Sequence, residues 1–552
     1  MTPESLAAAL RDVLITLVAD GSLDVDVPDT ILVERPRSRD HGDYASNVAL
    51  TLAKKAGQPP RDLATLIASR LSEAGGVSEV AIAGPGFLNI TVDRAAQGEL
   101  AQTIVEAGPA YGRSEVMSGV AVNVEFISAN PTGPIHLGHA RWAAVGDAIA
   151  RVLEATGARV AREFYINDRG VQMDRFGQSI AAAAVGEDPP EDGYHGEYIK
   201  ELADEIVAEH PEYLDLTGPQ RMEAFREAGY SRQLAQQQQS LDDFRTHFDL
   251  WFSERTLHAS GAVDHGYDRF REQGYLYEAD GAVWLRTSAF DDDKDRVLVK
   301  ADGEATYFAS DTAYYVDKRE RGYDICLYLL GADHHGYVNR LRAVAACAGD
   351  DPDYNIEIPI GQMVKMTRGG KEVRLSKRAG NIITITDLVD EVGVDAARYS
   401  LIRYPVDSPL TLDLDLLVSR TSDNPVFYVQ YAHARISSVL RNAVDQGIDW
   451  RAMPFDSAEL THERESQLLA ALAEFPRILA SAAELREPHR VARYLEQTAT
   501  AYHKFYDSCR VLPRADDDVT AQNVARLWLC AATRQVIANG LGLLGVDAPE
   551  RM

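Results

Sequence analysis

VAVNVEFISANPTGPIHLGHARWAAVGDAIARVLEATG, residues 120–157, contains a complete strand–turn–helix step. Its opening, Val120 to Ser128, is β-branched and apolar, the composition of a strand buried on both faces of a parallel sheet. From His136 onward the apolar residues recur at helical spacing, and the run ends on Gly157, a common helix stop. The next segment, ARVAREFYIND at 158–168, is strand-like again. Strand–helix–strand at this spacing is a βαβ unit and predicts a doubly wound sheet. ICLYLLGA, 325–332, is a further strand candidate.

The turn inside this step is chemically unusual. Pro131, Gly133 and Pro134 stiffen the chain just before His136 and His139. A helix that starts right after a buried strand aims its N-terminal N–H groups into the crevice above the sheet. Open α/β sheets bind ligands in that crevice. The two histidines are spaced i, i+3, which predicts both rings on one face of the first turn. Gly138 places no side chain between them, leaving room for a base or ribose. Either histidine alone is equally well read as a packing or capping residue. The string PTGPIHLGH is far more specific.

The rest of the chain frames this step. It has 552 residues, enough for three or four domains, with 45% hydrophobic and 25% charged residues, as in ordinary soluble proteins. The net charge of −28 argues weakly against a polyanionic partner, although a local basic groove can coexist with it. Four cysteines without a C-x-x-C pair predict a reducing compartment, no disulfide framework and no structural zinc site. MTPESLAAALRDVLITLVADG reads as an amphipathic helix capped at Thr2 or Ser5, not as a secretory leader. No run offers the roughly 20 apolar residues of a membrane span, so the cytoplasm is the expected location.

Residues 1–110 predict a small α/β or α+β unit, with helical spacing at Ala45–Leu52 and Leu63–Leu71 and a strand candidate over 80–92. Gly84-Pro85-Gly86 is a turn there; it lacks the third glycine and the following helix of a dinucleotide fingerprint. Residues 111–420 are expected to form the parallel-sheet domain, with an acidic, partly helical insertion around 186–290. From 421 to 552 the chain is almost wholly helical and predicts a separate bundle.

A second stretch complements the histidine step. TRGGKEVRLSKRAGNIITITDLVDE, 367–391, is glycine-rich and carries Arg368, Lys371, Arg374, Lys377 and Arg378 in an otherwise acidic protein. A cationic loop before a helix suits a polyphosphate that gains charge during reaction. In isolation it also reads as a solvated surface loop.

With these two stretches the sequence resembles the class I aminoacyl-tRNA synthetases. HLGH at 136–139 is similar to their HIGH signature and RLSKR at 374–378 to their KMSKS signature. The resemblance is sharpest to the arginyl-tRNA synthetase family. EFISANPTGPIHLGHAR carries it, with EFYINDRG at 163–170, FDLWFSER at 248–255, YFASDTAYY at 307–315, GADHHGYVNR at 331–340 and NPVFYVQYAHARI at 424–436. The second signature departs from the pattern: Arg374, Leu375 and Arg378 replace its Lys, Met and final Ser, while Ser376 and Lys377 are kept.

The resemblance implies a Rossmann-type catalytic domain, an added N-terminal domain and a helical anticodon-binding domain. It implies activation of L-arginine by ATP with Mg²⁺, transfer of the arginyl group to tRNA(Arg), a monomer, and tRNA bound before arginine is activated. His136, His139 and Lys377 become the expected catalytic residues. His136, Gly138, His139, Arg374, Ser376 and Lys377 are expected at ATP. Asn130, Glu254, Tyr307 and Asp311 are expected at arginine, because a guanidinium offers five fixed donors and needs aligned carboxylates. Read without the resemblance, Asp311 is as well a helix cap or turn residue. Phe87 and Asn89 are expected at the tRNA D-loop. Tyr431 and Arg435, i and i+4 on one helix, are expected at an anticodon base, though alone they read as an amphipathic core helix with a surface arginine. No dedicated metal site is expected; His334 and His335 are adjacent in sequence, cannot easily face one ion, and are expected to be structural or close to the nucleotide. Rival readings are another class I synthetase, a smaller adenylyl-transferring ligase, and an inactive RNA-binding relative.

Overall fold

The computed structural model describes residues 2–36, 41–372, 384–514 and 517–552. The central feature is a five-stranded, all-parallel sheet, in the spatial order Ile356–Glu357, Ile325–Tyr328, Ala121–Glu125, Arg159–Ile166, Leu250–Ser253. In chain order that is 5-4-1-2-3, a doubly wound sheet that reverses direction beside its first strand. Both strands at the reversal are buried on both faces, hence their largely apolar sequences, in which Asn123 is the buried polar exception.

The strand expected over 120–128 ends at Glu125. Ile127 and Ser128 have positive φ (71° and 45°), so the chain leaves the sheet by a bend that side chains rarely adopt. The helix expected from His136 begins as a short 3₁₀ turn, Leu137–His139, and runs on as Ala140–Ala155.

The first unit has a core of its own. Helix Pro3–Ala19, capped by Thr2, packs with helices Val48–Ala56 and Pro60–Leu71 on a three-stranded antiparallel sheet of Tyr44–Ser46, Phe87–Val92 and Val77–Ala83. The next helix, Arg94–Ala107, already gives Leu100, Ala101 and Ile104 to the main core, so the first unit's core ends ahead of residue 110.

Helices Val171–Ala184, Glu197–Glu209 and Gly218–Asp243 enclose a small core around Phe176, Ile180, Ile199 and Phe225. The range 186–290, expected as one insertion, also contains strand Leu250–Ser253 of the main sheet. The inserted material is therefore two pieces, the helical one and an antiparallel sheet of Leu276–Ala279, Ala282–Leu285 and Arg296–Val299.

The C-terminal helices include Pro425–Asp445, His489–Ser508 and Ala521–Leu543. Their apolar faces join the catalytic core in one continuous cluster, with Val429, Leu495 and Leu529 in the same body as Val122 and Val145. The expected helical bundle is present, and it is packed tightly onto its neighbour: its alanine- and leucine-rich helices bury more than one face, and the second face is met by the parallel-sheet unit. No helix among the described residues is long and apolar enough to cross a membrane.

Candidate active site

The histidine step lies at the mouth of the reversal point. Gln237, fully buried on helix Gly218–Asp243, donates to the carbonyls of Asn130 (2.9 Å) and Gly133 (2.7 Å) and so holds the loop from below. Tyr198 Oη donates to Thr132 O at 3.1 Å. His136 is extended (φ −74°, ψ 147°) and precedes the turn, so the two rings do not share one helical face as expected. Its Nδ1 accepts from Gly138 N–H at 2.9 Å. That bond places the ring proton on Nε2, which leaves an outward N–H donor. It also occupies the Gly138 amide, so Gly138 contributes closeness of approach: a Cβ there would lie 3.1 Å from His136 Nδ1.

His139 is more deeply set, and its Nδ1 is buried with no partner among the described residues. Burial pulls its pKa down to about 4, assisted by His136 and opposed by Asp333. Burial also lowers that of His136. Both imidazoles are thereby favoured as neutral hydrogen-bonding groups near pH 7. His334 and His335 stand exposed on the neighbouring lip, in the 3₁₀ turn Ala332–Tyr337, with His334 Nε2 3.4 Å from Asp333.

Arg374, Ser376, Lys377 and Arg378 lie outside the described residues. Their frame is described. Lys371–Glu372 pairs with Val364–Arg368, which runs parallel to Leu410–Asp413. On the far side, Thr384 forms an antiparallel bridge with His136, and Ile385 N–H donates to Ile135 O at 3.0 Å. Thr384 then caps helix Ile385–Val392 through a reciprocal pair with Asp387. The cationic stretch thus returns to the fold beside the first histidine.

Next to this lies an acidic pocket. Glu254 follows strand Leu250–Ser253 and is buried; burial raises its pKa, while Ser310 and Tyr165 hydrogen-bond it. Asp311 is the fifth residue of helix Tyr307–Glu320, whose cap position is Thr306, so the capping alternative is excluded. It accepts from Tyr337 Oη. Loss of solvation, with Glu125 and Glu254 nearby, lifts its pKa to about 7. Tyr165 feels Glu254 and Asp311 together, which puts both carboxylates around one ring. Tyr307 is 72% exposed at the rim and faces Gly170. Asn130 Nδ2 donates to Gln172 Oε1 at 2.6 Å on the same rim.

Several supporting residues escaped the sequence reading. Glu125 pairs with the fully buried Lys318 at 2.5 Å, and Lys318 lies over the rings of Tyr314 and Tyr328. Asp168 is buried and accepts from Ser253 Oγ (2.5 Å), Tyr230 Oη (3.1 Å) and Arg255 N–H (3.2 Å). The available signal was a carboxylate at the end of each apolar strand, in VNVE and in YIND. With Glu125 already matched by Lys318, Glu254 and Asp311 have no Lys or Arg in salt-bridge contact among the described residues, although Arg169 acts on Glu254 and Arg340 on Asp311 from farther off. A planar cation with several donors would supply that contact.

Far from this pocket, Tyr431 and Arg435 line a cavity of about 300 Å³ with Phe427, Tyr428, His503 and Asp507. Tyr431 is 41% exposed and stacks on Phe427 (6.0 Å, 10°). Arg435 lies closer over Tyr506 (4.1 Å) than over Tyr431 (5.9 Å). Phe87 and Asn89 alternate with the inward Leu88 and Ile90 and so share the outer face of their strand. Among the described residues no group of three or more His, Cys, Asp or Glu is placed to hold a metal ion.

Comparison with known proteins agrees with this geometry. Three family profiles cover most of the chain: "Arginyl tRNA synthetase N terminal domain" at residues 4–92, "tRNA synthetases class I (R), catalytic domain" at 103–215 and 217–403, and "DALR anticodon binding domain" at 429–552. An arginine–tRNA ligase of Kineococcus radiotolerans is 59% identical over 555 aligned positions, and one of Frankia alni is 57% identical over 552, each comparison covering 100% of both chains. The structure of a Thermus thermophilus arginyl-tRNA synthetase has the same fold, with a TM-score of 0.75 at 22% identity and 100% of both chains covered. On its full-length similarity to these relatives, and with a parallel sheet that carries the histidine step at its point of reversal, the chain belongs to the arginyl-tRNA synthetase family of class I.

Proposed function

We propose that this chain is an arginine–tRNA ligase. One observation carries the reading: the bridge between His136 and Thr384 brings the histidine step to the root of the cationic stretch, beside the Glu254–Asp311 pocket. Arginine binds with its guanidinium between those carboxylates, Tyr307 at the rim and Asn130 toward its α-amino and carboxylate end. Its carboxylate attacks the α-phosphorus of ATP in line. The P–O bond to pyrophosphate breaks and arginyl-adenylate forms. No side chain acts as nucleophile; the protein positions the reactants and stabilises charge. The Nε2–H of His136, together with His139, donates to phosphate oxygens. Lys377 holds the β- and γ-phosphates, and Arg374 and Ser376 belong to the same ATP site. Mg²⁺ bound with ATP neutralises part of the phosphate charge. A ribose hydroxyl at the 3′ end of tRNA(Arg) then takes the arginyl group and AMP leaves.

The tRNA is held at both ends of the chain, by Phe87 and Asn89 in the N-terminal domain and by Tyr431 and Arg435 in the helical one. Domain limits of 1–110, 111–420 and 421–552, a monomeric state and a cytoplasmic location belong to the same proposal. The direct test is arginine-dependent charging of bulk tRNA, with each of the other amino acids offered in turn. Charging with lysine in place of arginine would overturn the reading. Lys377→Ala should slow pyrophosphate exchange by about 10²–10³-fold with arginine binding nearly intact; a variant with normal turnover would remove Lys377 from the mechanism.

A further inference from the structure

Two residues after His139 stands an arginine with no carboxylate paired to it among the described residues. Arg141 is 2% exposed, and its guanidinium donates only to main-chain oxygens. Nη1 reaches Gln362 O (3.0 Å) and Ser408 O (2.9 Å), and Nη2 reaches Pro405 O (2.8 Å). Its Nε has no partner among the described residues, and the carboxylate that acts on it, Asp407, does so without salt-bridge contact, so this buried cation is an expensive way to fill space. An apolar side chain would fill it without that cost. What the guanidinium adds is a rigid, planar fork that fixes three carbonyls relative to one another.

Those carbonyls belong to two segments with a shared destination. Gln362 joins Ile360–Gly361 to Val364–Arg368, the strand that leads to the cationic stretch. Pro405 and Ser408 precede Leu410–Asp413, the parallel partner of that strand. Gln362 N–H donates to Val406 O at 2.9 Å and ties the segments to each other. The neighbouring Trp142 presses on the same place, since a Cβ at Gly361 would lie 2.2 Å from its ring. The near root of the stretch is thus forked to the histidine helix, while its far root is bridged to His136.

We propose that Arg141 is a positioning residue for adenylate formation, setting the distance between the histidine step and the paired strands Val364–Arg368 and Leu410–Asp413. This rests on the function proposed above. It makes a specific demand: loss of the fork must slow phosphate chemistry and leave arginine recognition alone, because Glu254 and Asp311 sit on elements that Arg141 does not touch.

The experiment is arginine-dependent pyrophosphate exchange into ATP by the full chain, with tRNA present, for wild type, Arg141→Gln and Arg141→Lys. Arg141→Gln should lower kcat about 100-fold, the effect expected of a small misplacement of reacting groups, with the KM for arginine within threefold of wild type. Arg141→Lys, which keeps the charge but reaches fewer carbonyls, should recover roughly tenfold of that loss. A glutamine variant with kcat within threefold of wild type overturns the proposal. So does a KM for arginine that rises as far as kcat falls, or a lysine variant that rescues nothing. Failure of the glutamine variant to fold leaves the decision to the lysine variant; failure of both assigns Arg141 to folding and overturns it as well. Absence of exchange in the wild type with arginine counts against the proposed function, not against Arg141.

Discussion

Asp311 shows how burial moves the titration of an ordinary carboxylate toward neutral pH. Its pKa lies at about 7, raised by lost solvation and by Glu125 and Glu254. A raised carboxylate pKa stabilises the fold below the usual value near 4, and that contribution is lost as pH rises through 7. A guanidinium reverses the preference, because it favours the ionised carboxylate. Arginine should therefore bind about tenfold more tightly at pH 8 than at pH 6, with proton release at pH 6. Calorimetry in two buffers of different ionisation enthalpy reads both quantities. Asp311→Asn should weaken arginine binding and flatten this pH dependence; an unchanged pH profile would move the titration elsewhere. The sequence named Asp311, Glu254 and Tyr307 through resemblance, but their environment was not legible in it. The groups that set it, Tyr165, Ser310 and Tyr337, come from three separate segments.

At the scale of elements, periodicity located the strands and helices, and their ends were decided by contacts. The apolar run at 120–128 stops pairing after Glu125, since Ser128 turns to donate to Glu125 (3.0 Å) and to accept from Tyr165 N–H (3.1 Å). Likewise His136 leaves the helix to accept from Gly138. Helix Pro425–Asp445 carries its own division of labour: Val429, Ala432 and Ile436 are buried while Tyr431 stays open. The core reading thus holds for one face of this helix, and the RNA reading proposed above belongs to the other. Stacking of a base on an aromatic ring is worth about 1–3 kcal/mol, so Tyr431→Ala should raise the KM for tRNA by roughly tenfold or more. The KM values for ATP and arginine should not follow. Steady-state charging with varied tRNA makes the comparison, and an unchanged KM for tRNA would exclude a stacked base at this position.

The whole molecule is held by a few buried charges that join distant segments. Arg398 is fully buried and donates to Asp147 Oδ2 (2.5 Å), Phe244 O (2.9 Å), Thr246 Oγ1 (3.1 Å) and Leu544 O (3.1 Å). It links the histidine helix, the end of the helical insertion and the C-terminal segment. Gly545 (φ +65°) passes so close that a Cβ would lie 2.4 Å from Arg398 Nη2. Removing one partner of a buried ion pair typically costs about 3–5 kcal/mol, so Asp147→Ala should lower the urea midpoint by a corresponding amount. A midpoint equal to wild type would show that its neutral partners suffice to hold Arg398. By itself the amino-acid sequence determined the parallel sheet, the helical C-terminal quarter and the two signature stretches. Each of these is written in local order, as a period of apolar residues or a string of adjacent ones, and survives without knowledge of what lies opposite. Only the tertiary structure decided that the C-terminal helices share the catalytic core, that the histidines are buried toward neutrality, and that Arg141 and Arg398 are internal. Those properties depend on solvent removed by residues hundreds of positions away, and no local spacing records them.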